Sequence, residues 1–131
     1  MASKIEISNV SKKADSIISF TVEITAHTDG TVESVATPFN LDGFIILAIV
    51  VPSATVAPQA SYDIELQDEN GVDIMGGALS NLSATDPAQA MPLFGTDFFA
   101  PRFVSGPLTI AMSGNNISGA KTALTLFIKD A

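Results

Sequence analysis

The sequence predicts an all-β fold, a single antiparallel β-sandwich or jelly-roll-like barrel of about seven or eight strands. Apolar and polar residues alternate in short segments along most of the chain, as they do in strands that are buried on one face. Turn-forming residues separate these segments, and no long stretch repeats apolar residues at the spacing of a helix. The chain has 131 residues, the size of one domain, so residues 1–131 are predicted to form a single β domain.

The first third of the chain supplies the first predicted strands. Residues 1–11 are predicted to be an arm or an edge strand, because charged residues interrupt them and discourage pairing with other chains. Residues 20–24 alternate and predict a half-buried strand. Residues 27–30 end in Asp-Gly and predict a turn, after which residues 31–35 are expected to return beside that strand.

The longest apolar run, residues 44–51, is closed by Pro52. A helix that spans a membrane needs about 20 apolar residues, so this shorter run predicts no such helix and no membrane partner. The run is rich in β-branched residues and predicts a strand that is buried on both faces.

The clearest hairpin signal lies in the middle of the chain. Residues 62–66 alternate, with Tyr, Ile and Leu on one face and acidic residues on the other. Asp-Glu-Asn-Gly at 68–71 then predicts a turn, and Val72 and Ile74 are predicted to resume the apolar face.

Three more elements are predicted towards the end of the sequence. Residues 83–91 allow one short helical turn, with a Ser, Thr or Asp cap before Pro87. Residues 108–112 alternate and predict a strand, and residues 123–128 predict the closing strand.

The composition excludes several classes of function. The formal net charge is −8 and the pI is near 4.2, which argues against nucleic acid as a partner because phosphates require Lys and Arg. The absence of Cys excludes disulfide scaffolds, thiol catalysis and cysteine metal sites. The start of the sequence has no continuous apolar core of the kind found in signal peptides, which predicts synthesis in a cytoplasm without export.

The charges are unevenly spread along the chain. No Lys or Arg occurs from Ala14 to Pro101, although all the acidic residues except Glu6 and Asp130 lie in that stretch. Such an acidic middle is either a solvated surface that keeps the protein soluble or a surface that steers the protein to a basic patch on a partner.

Few residues of this sequence support a catalytic function. The single histidine, His27, lies beside the turn predicted at 27–30, and no Gly-x-Ser-x-Gly motif accompanies it, so an exposed turn histidine is expected. Paired carboxylates cleave sugars in many enzymes, but those enzymes grip sugars with aromatic residues, and this chain has no Trp and one Tyr. The prediction is a non-enzymatic protein without a cofactor.

The predicted hairpin carries the densest cluster of acidic residues, among them Asp63, Glu65, Asp68 and Asp73. Calcium binds six to eight oxygen ligands, and these four residues are the ones that a metal site would use. Their order departs from that of a calcium-binding loop, and acidic residues at turns are usually solvated, so no metal site is predicted. A β-sandwich that binds calcium or carbohydrate remains an alternative.

Residues 91–104 form the most unusual segment, with four of the chain's eight Phe, two Pro and one Arg. One interpretation is a long connection that folds over one end of the barrel and buries its own aromatic side chains. The other is an interface loop, since Phe, Met and Arg are enriched in interface cores. The candidate interface residues are Phe94, Phe98, Phe99, Arg102 and Phe103.

Two segments of the chain carry a resemblance to a known group of proteins. Residues 62–78, with their Asp-Glu-Asn-Gly turn, and residues 104–128, with Ser-Gly-Asn-Asn, resemble small all-β virion structural proteins of tailed bacteriophages. The resemblance implies a head decoration, or cement, protein that stabilises the phage head by binding across capsomers, and it brings no catalytic residues. A tail, collar or fibre component of the same fold is the alternative within this group.

The resemblance also implies partners and a location. The partner would be the major capsid protein or another virion protein, and the chain would form a homo-oligomer, with a trimer on a local threefold axis as one arrangement. The location would be the virion, assembled in the host cytoplasm. Residues 1–11 would be able to add a strand to the edge of a capsid sheet.

Overall fold

The chain forms two antiparallel sheets around one hydrophobic core, in a computed structural model that describes residues 2–14 and 17–130, with the backbone alone for 9–14. These residues contain no helix, and therefore none long and apolar enough to cross a membrane. The all-β prediction is confirmed. The strands are β1 (Lys4–Ala14), β2 (Ile17–Thr25), β3 (Val35–Ala36), β4 (Gly43–Pro52), β5 (Asp63–Gln67), β6 (Ala88–Ala90), β7 (Leu93–Phe94), β8 (Phe98–Phe99), β9 (Arg102–Val104), β10 (Thr109–Ser113) and β11 (Lys121–Asp130).

The larger sheet, sheet A, contains the four longest strands in the order β1-β2-β11-β4. The short strands β6 and β9 pair with different parts of the far side of β4. Sheet B contains three strands in the order β3-β10-β5, and β7 and β8 form a separate two-stranded ribbon. The strands outnumber those predicted because five of them are only two or three residues long.

The core lies between the two sheets and uses the alternating residues that the sequence singles out. Side chains of β2 and β11 in sheet A and of β5 and β10 in sheet B are buried in one cluster. Tyr62 is fully buried, and its Oη lies 3.2 Å from Oγ1 of Thr122, so the phenol has a polar partner inside the core. Burial raises the pKa of Tyr62 above its ordinary value, and the hydrogen bond with Thr122 opposes that effect. The predicted strands at 20–24, 62–66 and 108–112 are confirmed.

The predicted return of residues 31–35 beside β2 is wrong. The turn forms, with the amide of Gly30 donating to the carbonyl of His27, but the chain then crosses to sheet B, where Val35 pairs with Ile110. Both edges of β2 are already occupied by the long strands β1 and β11, which offer many more hydrogen bonds than a short return strand.

The predicted hairpin after β5 is confirmed at its turn and at Ile74, but Val72 is not on the apolar face and the returning segment is short. The amide of Asp68 donates to the carbonyl of Val72, and the amide of Ile74 donates to the carbonyl of Leu66. Val72 is 51% exposed rather than on the apolar face, whereas Ile74 is buried as predicted. The returning strand ends at once because the carboxylate of Asp73 binds three backbone amides and turns the chain away.

The short helical turn predicted at 83–91 is also wrong. The hydroxyl of Ser83 does accept hydrogen bonds from the amides of Thr85 and Asp86, as a helix cap would. After Pro87 the chain extends into β6, because pairing with β4 satisfies its backbone.

Residues 1–11 were predicted to be an arm or an edge strand, and the described part is an edge strand. β1 pairs with β2 along its length, and the preceding Ser3 is held by His27, whose Nδ1 accepts a 2.8 Å hydrogen bond from the amide of Ser3. The hydroxyl of Ser3 in turn accepts a hydrogen bond from the amide of Glu33. The expectation of an exposed turn histidine is therefore wrong, since the His27 side chain is 24% exposed.

The strand predicted to be buried on both faces is buried on one. In β4, Ile45, Ala48 and Val50 face the core, whereas Phe44 and Val51 on the outer face are 36% and 46% exposed.

Candidate protein-interaction site

The predicted interface segment folds as a short hairpin whose aromatic side chains lie in solvent. The aromatic hairpin comprises β7, β8 and the turn between them, residues 93–99. Phe98 is 73% exposed and Phe99 is 58% exposed, and Phe94 and the nearby Phe103 are 39% and 49% exposed. These side chains are four of the nine large apolar side chains that are exposed among the described residues. The interpretation in which the segment buries its own aromatic residues is wrong.

Local sequence explains the shape of this hairpin. Phe94 pairs with Phe98 across a three-residue turn, whose first residue, Gly95, adopts a φ of 62° that glycine tolerates without strain. At the base, the amide of Ala100 donates to the carbonyl of Pro92 and closes the ribbon. The ribbon is too short to bury anything, so the side chains on it project into water.

The base of the aromatic hairpin is fixed to the loop that follows the 68–71 turn. The amide of Leu93 donates a 3.0 Å hydrogen bond to the carbonyl of Met75, and the carbonyl of Leu93 packs against Gly76 so closely that a Cβ there would collide with it. Asp73 holds this loop, since Oδ1 accepts from the amides of Leu66 and Met75 and Oδ2 accepts from that of Gly77. The aromatic side chains therefore stand on an anchored support.

Arg102 lies beside the aromatic hairpin and links it to the 68–71 turn. Its guanidinium carbon is 5.9 Å from the centre of the Phe94 ring, a cation–π contact, and Nη2 is 3.7 Å from Oδ2 of Asp68. Nε of Arg102 is buried and has no hydrogen-bond partner among the described residues. On the other face of β9, the ring of Phe103 meets that of Phe44 edge to face at 5.5 Å.

Acidic groups border the aromatic surface. Asp68 and Glu69 line a groove together with Phe103, and Asp97 is exposed in the turn of the hairpin. The hydrogen bond from the amide of Val72 lowers the pKa of Asp68 most, and the amide of Asn70 and the charge of Arg102 lower it further, while burial opposes them. Asp68 therefore stays ionised at neutral pH, and the acidic side chains Asp68, Glu69 and Asp97 outnumber the basic Arg102 in this region.

Three of the four acidic residues considered for a metal accept hydrogen bonds from the backbone instead. Oδ1 of Asp63 accepts from the amide of Asn81 at 2.7 Å, and Asp68 and Asp73 each accept backbone hydrogen bonds within their own turn. Glu65 projects from β5 beside Ala111 on the outer face of sheet B. Among the described residues, no group of three or more His, Asp or Glu side chains has the geometry of a metal site.

The structure brings Phe94, Phe98, Phe99 and Arg102 together at the aromatic hairpin, whereas Phe103 projects from the other face of β9; the sequence missed two features of this region. Phe44 joins the aromatic surface through Phe103, a contact that depends on the register of β4 with β9. Gly76 accommodates the hairpin base, and its signal in the sequence is the Gly-Gly pair, which indicates a tight bend without identifying what it packs against.

No protein-family model matches the chain, and neither does any curated protein sequence. Among solved structures, it is similar to a chain described as the cyanophage Pam1 capsid asymmetric unit, with a TM-score of 0.41 and 10% sequence identity over 99% of this chain and 87% of that chain. The comparisons assign no family, and the function is inferred from the surface of the molecule.

Proposed function

We propose that this chain is a non-enzymatic structural protein of a phage virion, a decoration or cement protein that binds another virion protein through the aromatic hairpin. One observation carries the proposal: Phe94, Phe98, Phe99 and Phe103 stand exposed on an anchored support. Monomeric soluble proteins rarely expose such a cluster unless it is a binding site. The resemblance of residues 62–78 and 104–128 to phage virion proteins supports the choice of partner class.

The energetics favour a docking function for these side chains. Moving an exposed Phe into an apolar pocket releases roughly 1.5–3 kcal/mol, so two or three of them supply much of the free energy of a specific complex. The backbone hydrogen bonds at the hairpin base hold the backbone that carries the rings, which reduces the ordering cost on binding. Each bound copy stabilises the assembled shell relative to its free subunits by mass action.

The charges suggest the chemistry of the partner surface. Asp68 and Glu69 lie beside Phe103, Asp97 lies in the hairpin turn, and together they outnumber Arg102, so we expect the complementary surface to have an apolar pocket with a mainly basic rim. On the major capsid protein such a pocket would lie at a boundary between capsomers, where a bound copy links two of them. The alternative position, a tail, collar or fibre, places the same pocket on a different virion protein.

The test uses the purified chain and heads isolated from the phage that encodes it. Wild-type protein is expected to co-sediment with heads saturably, and Phe98→Ser is expected to weaken that binding at least about tenfold, because it removes the most exposed anchor. Ile117→Ser is the matched control, since Ile117 is also exposed (39%) but lies in the loop between β10 and β11. Thermal melting of both variants checks that the fold is retained.

Each outcome has a defined meaning. Saturable binding to heads that Phe98→Ser weakens and Ile117→Ser does not supports the proposal. Binding to isolated tails instead of heads replaces the decoration function with the tail alternative. An absence of binding to either particle, or equal binding by both variants, overturns the proposed function of the aromatic hairpin.

A further inference from the structure

A second apolar surface lies on the outer face of sheet A, the face turned away from the core. The strand register places Val51 beside Ala123, Ile49 beside Thr125 and Leu47 beside Phe127. β4 therefore presents an apolar row on this face, which Ala123 and Phe127 of β11 extend and Lys121 and Lys129 border. The part of the face on β1 and β2 carries Glu6, Glu23, Thr21 and Ser19 instead.

The composition of β4 indicates that another molecule covers this face. A strand with one face in water normally alternates apolar and polar residues, whereas β4 is apolar from Phe44 to Val51 on both faces. Its inner side chains are buried, and those of the outer face are partly or largely exposed. β11 alternates in the ordinary way, with Lys121, Thr125 and Lys129 on its outer face, and Phe127 is the large apolar residue that it adds next to Leu47.

We propose that the outer face of sheet A binds a second copy of this chain. The size of the face matches this occupant: four strands about 4.8 Å apart and four rows about 6.8 Å apart cover roughly 500 Å² in projection. Side-chain relief makes the accessible area larger, which approaches the roughly 800 Å² per partner of a standard protein interface.

The charges also favour a second copy at this face. Among its described side chains, Lys4, Lys121 and Lys129 outnumber Glu6 and Glu23 by one, although the whole chain carries a net charge of −8. Most of the remaining acidic residues therefore lie elsewhere on the molecule. Two identical acidic chains repel each other least where their charges are balanced, and the outer face of sheet A is such a surface.

The aromatic hairpin is a less suitable contact between copies. Asp97, Asp68 and Glu69 outnumber Arg102 there, so two copies that meet at this surface bring together net negative charge, which costs affinity. The two surfaces meet at the Phe44–Phe103 contact but suit different occupants. The sheet face suits a second copy, and the hairpin suits a partner with a basic rim.

The experiment is sedimentation equilibrium of the purified chain from about 1 μM to about 1 mM. The wild type is expected to associate reversibly, and Val51→Lys is expected to weaken the association at least about tenfold because it places a charge in the apolar row of the face. Val35→Lys is the matched control, since Val35 is an exposed strand valine (37%) in sheet B. Ile49→Ser serves as a second variant on the same face, away from the Phe44–Phe103 contact, and thermal melting verifies folding of each variant.

The outcomes separate this inference from the proposed function. Association that Val51→Lys and Ile49→Ser weaken, and Val35→Lys leaves unchanged, supports the second copy as occupant. A monomeric wild type across the whole range overturns it, in favour of a different protein on this face. Association that is lost in Phe98→Ser but kept in Val51→Lys overturns it as well, because the contact would then lie at the aromatic hairpin.

Discussion

Asp68 joins the backbone and the candidate site through a single carboxylate. Oδ1 accepts hydrogen bonds from the amides of Asn70 and Val72, and Oδ2 lies 3.7 Å from Arg102, the residue that packs on Phe94. These contacts need the ionised form, because a protonated oxygen loses most of its strength as an acceptor. The lowered pKa of Asp68 is therefore linked to the stability of the fold.

The lowered pKa of Asp68 predicts how the free energy of unfolding changes in acid. A carboxyl group whose pKa is lower in the folded state adds stability above its unfolded pKa, and that stability is lost as the pH falls through the folded pKa. Asp68→Asn is expected to lower the free energy of unfolding at neutral pH and to flatten its decline from about pH 4 downwards. Urea unfolding at a series of pH values measures this decline.

The same titration contains its own control. Above about pH 6 Asp68 is ionised in both folded and unfolded chains, so the curves of the variant and the wild type should run parallel there. An acid decline as steep in Asp68→Asn as in the wild type would contradict the assigned role of the carboxylate.

At the scale of elements, the aromatic hairpin depends on a glycine in another loop. Gly76 has a φ of 62° and no room for a Cβ beside the carbonyl of Leu93, whereas Gly77 has a φ of 84° and open space around it. The two residues share a conformation that costs other residues energy, and they differ in whether the hairpin base packs on them.

This difference gives a matched pair of substitutions. Gly77→Ala is expected to cost about 1 kcal/mol from backbone strain alone. Gly76→Ala adds a collision with the Leu93 carbonyl and is expected to cost about 1–3 kcal/mol more, with displacement of the hairpin base. Urea unfolding measures the cost, and hydrogen exchange of the Leu93 amide, which donates to Met75, reports the displacement. Equal costs for the two variants would mean that the base does not pack on Gly76.

The sequence predicts the presence of some strands better than it predicts their pairing. The strands at 20–24 and 108–112 were predictable because alternation is a local property, visible without knowledge of the partner strand. The pairing was not, as the crossing of β3 to β10 shows, because it depends on which distant strands compete for each edge. The aromatic hairpin has strands of two residues, which are too short to show an alternating pattern. Its composition identifies the segment as a candidate site, but only the folded structure shows that its side chains are exposed.

At the scale of the whole molecule, the sequence and the fold separate charge into regions. Five of the six basic residues are lysines on β1 and β11, both strands of sheet A, and the acidic residues dominate the rest of the chain. A net charge of −8 keeps separate copies apart in dilute salt. Association through an apolar face must therefore overcome a repulsion that the rest of the molecule generates.

This competition predicts how association responds to salt. If two copies meet at the apolar outer face of sheet A, added salt screens their mutual repulsion and leaves the apolar contact intact, so the dissociation constant should fall several-fold from about 50 mM to about 500 mM NaCl. Sedimentation equilibrium at both salt concentrations measures the change, and Val35→Lys, which alters the charge on sheet B, should retain the same direction. Weaker association at high salt would mean that ion pairs such as those available to Lys129 and Glu23 hold the copies together, in place of the apolar side chains of β4.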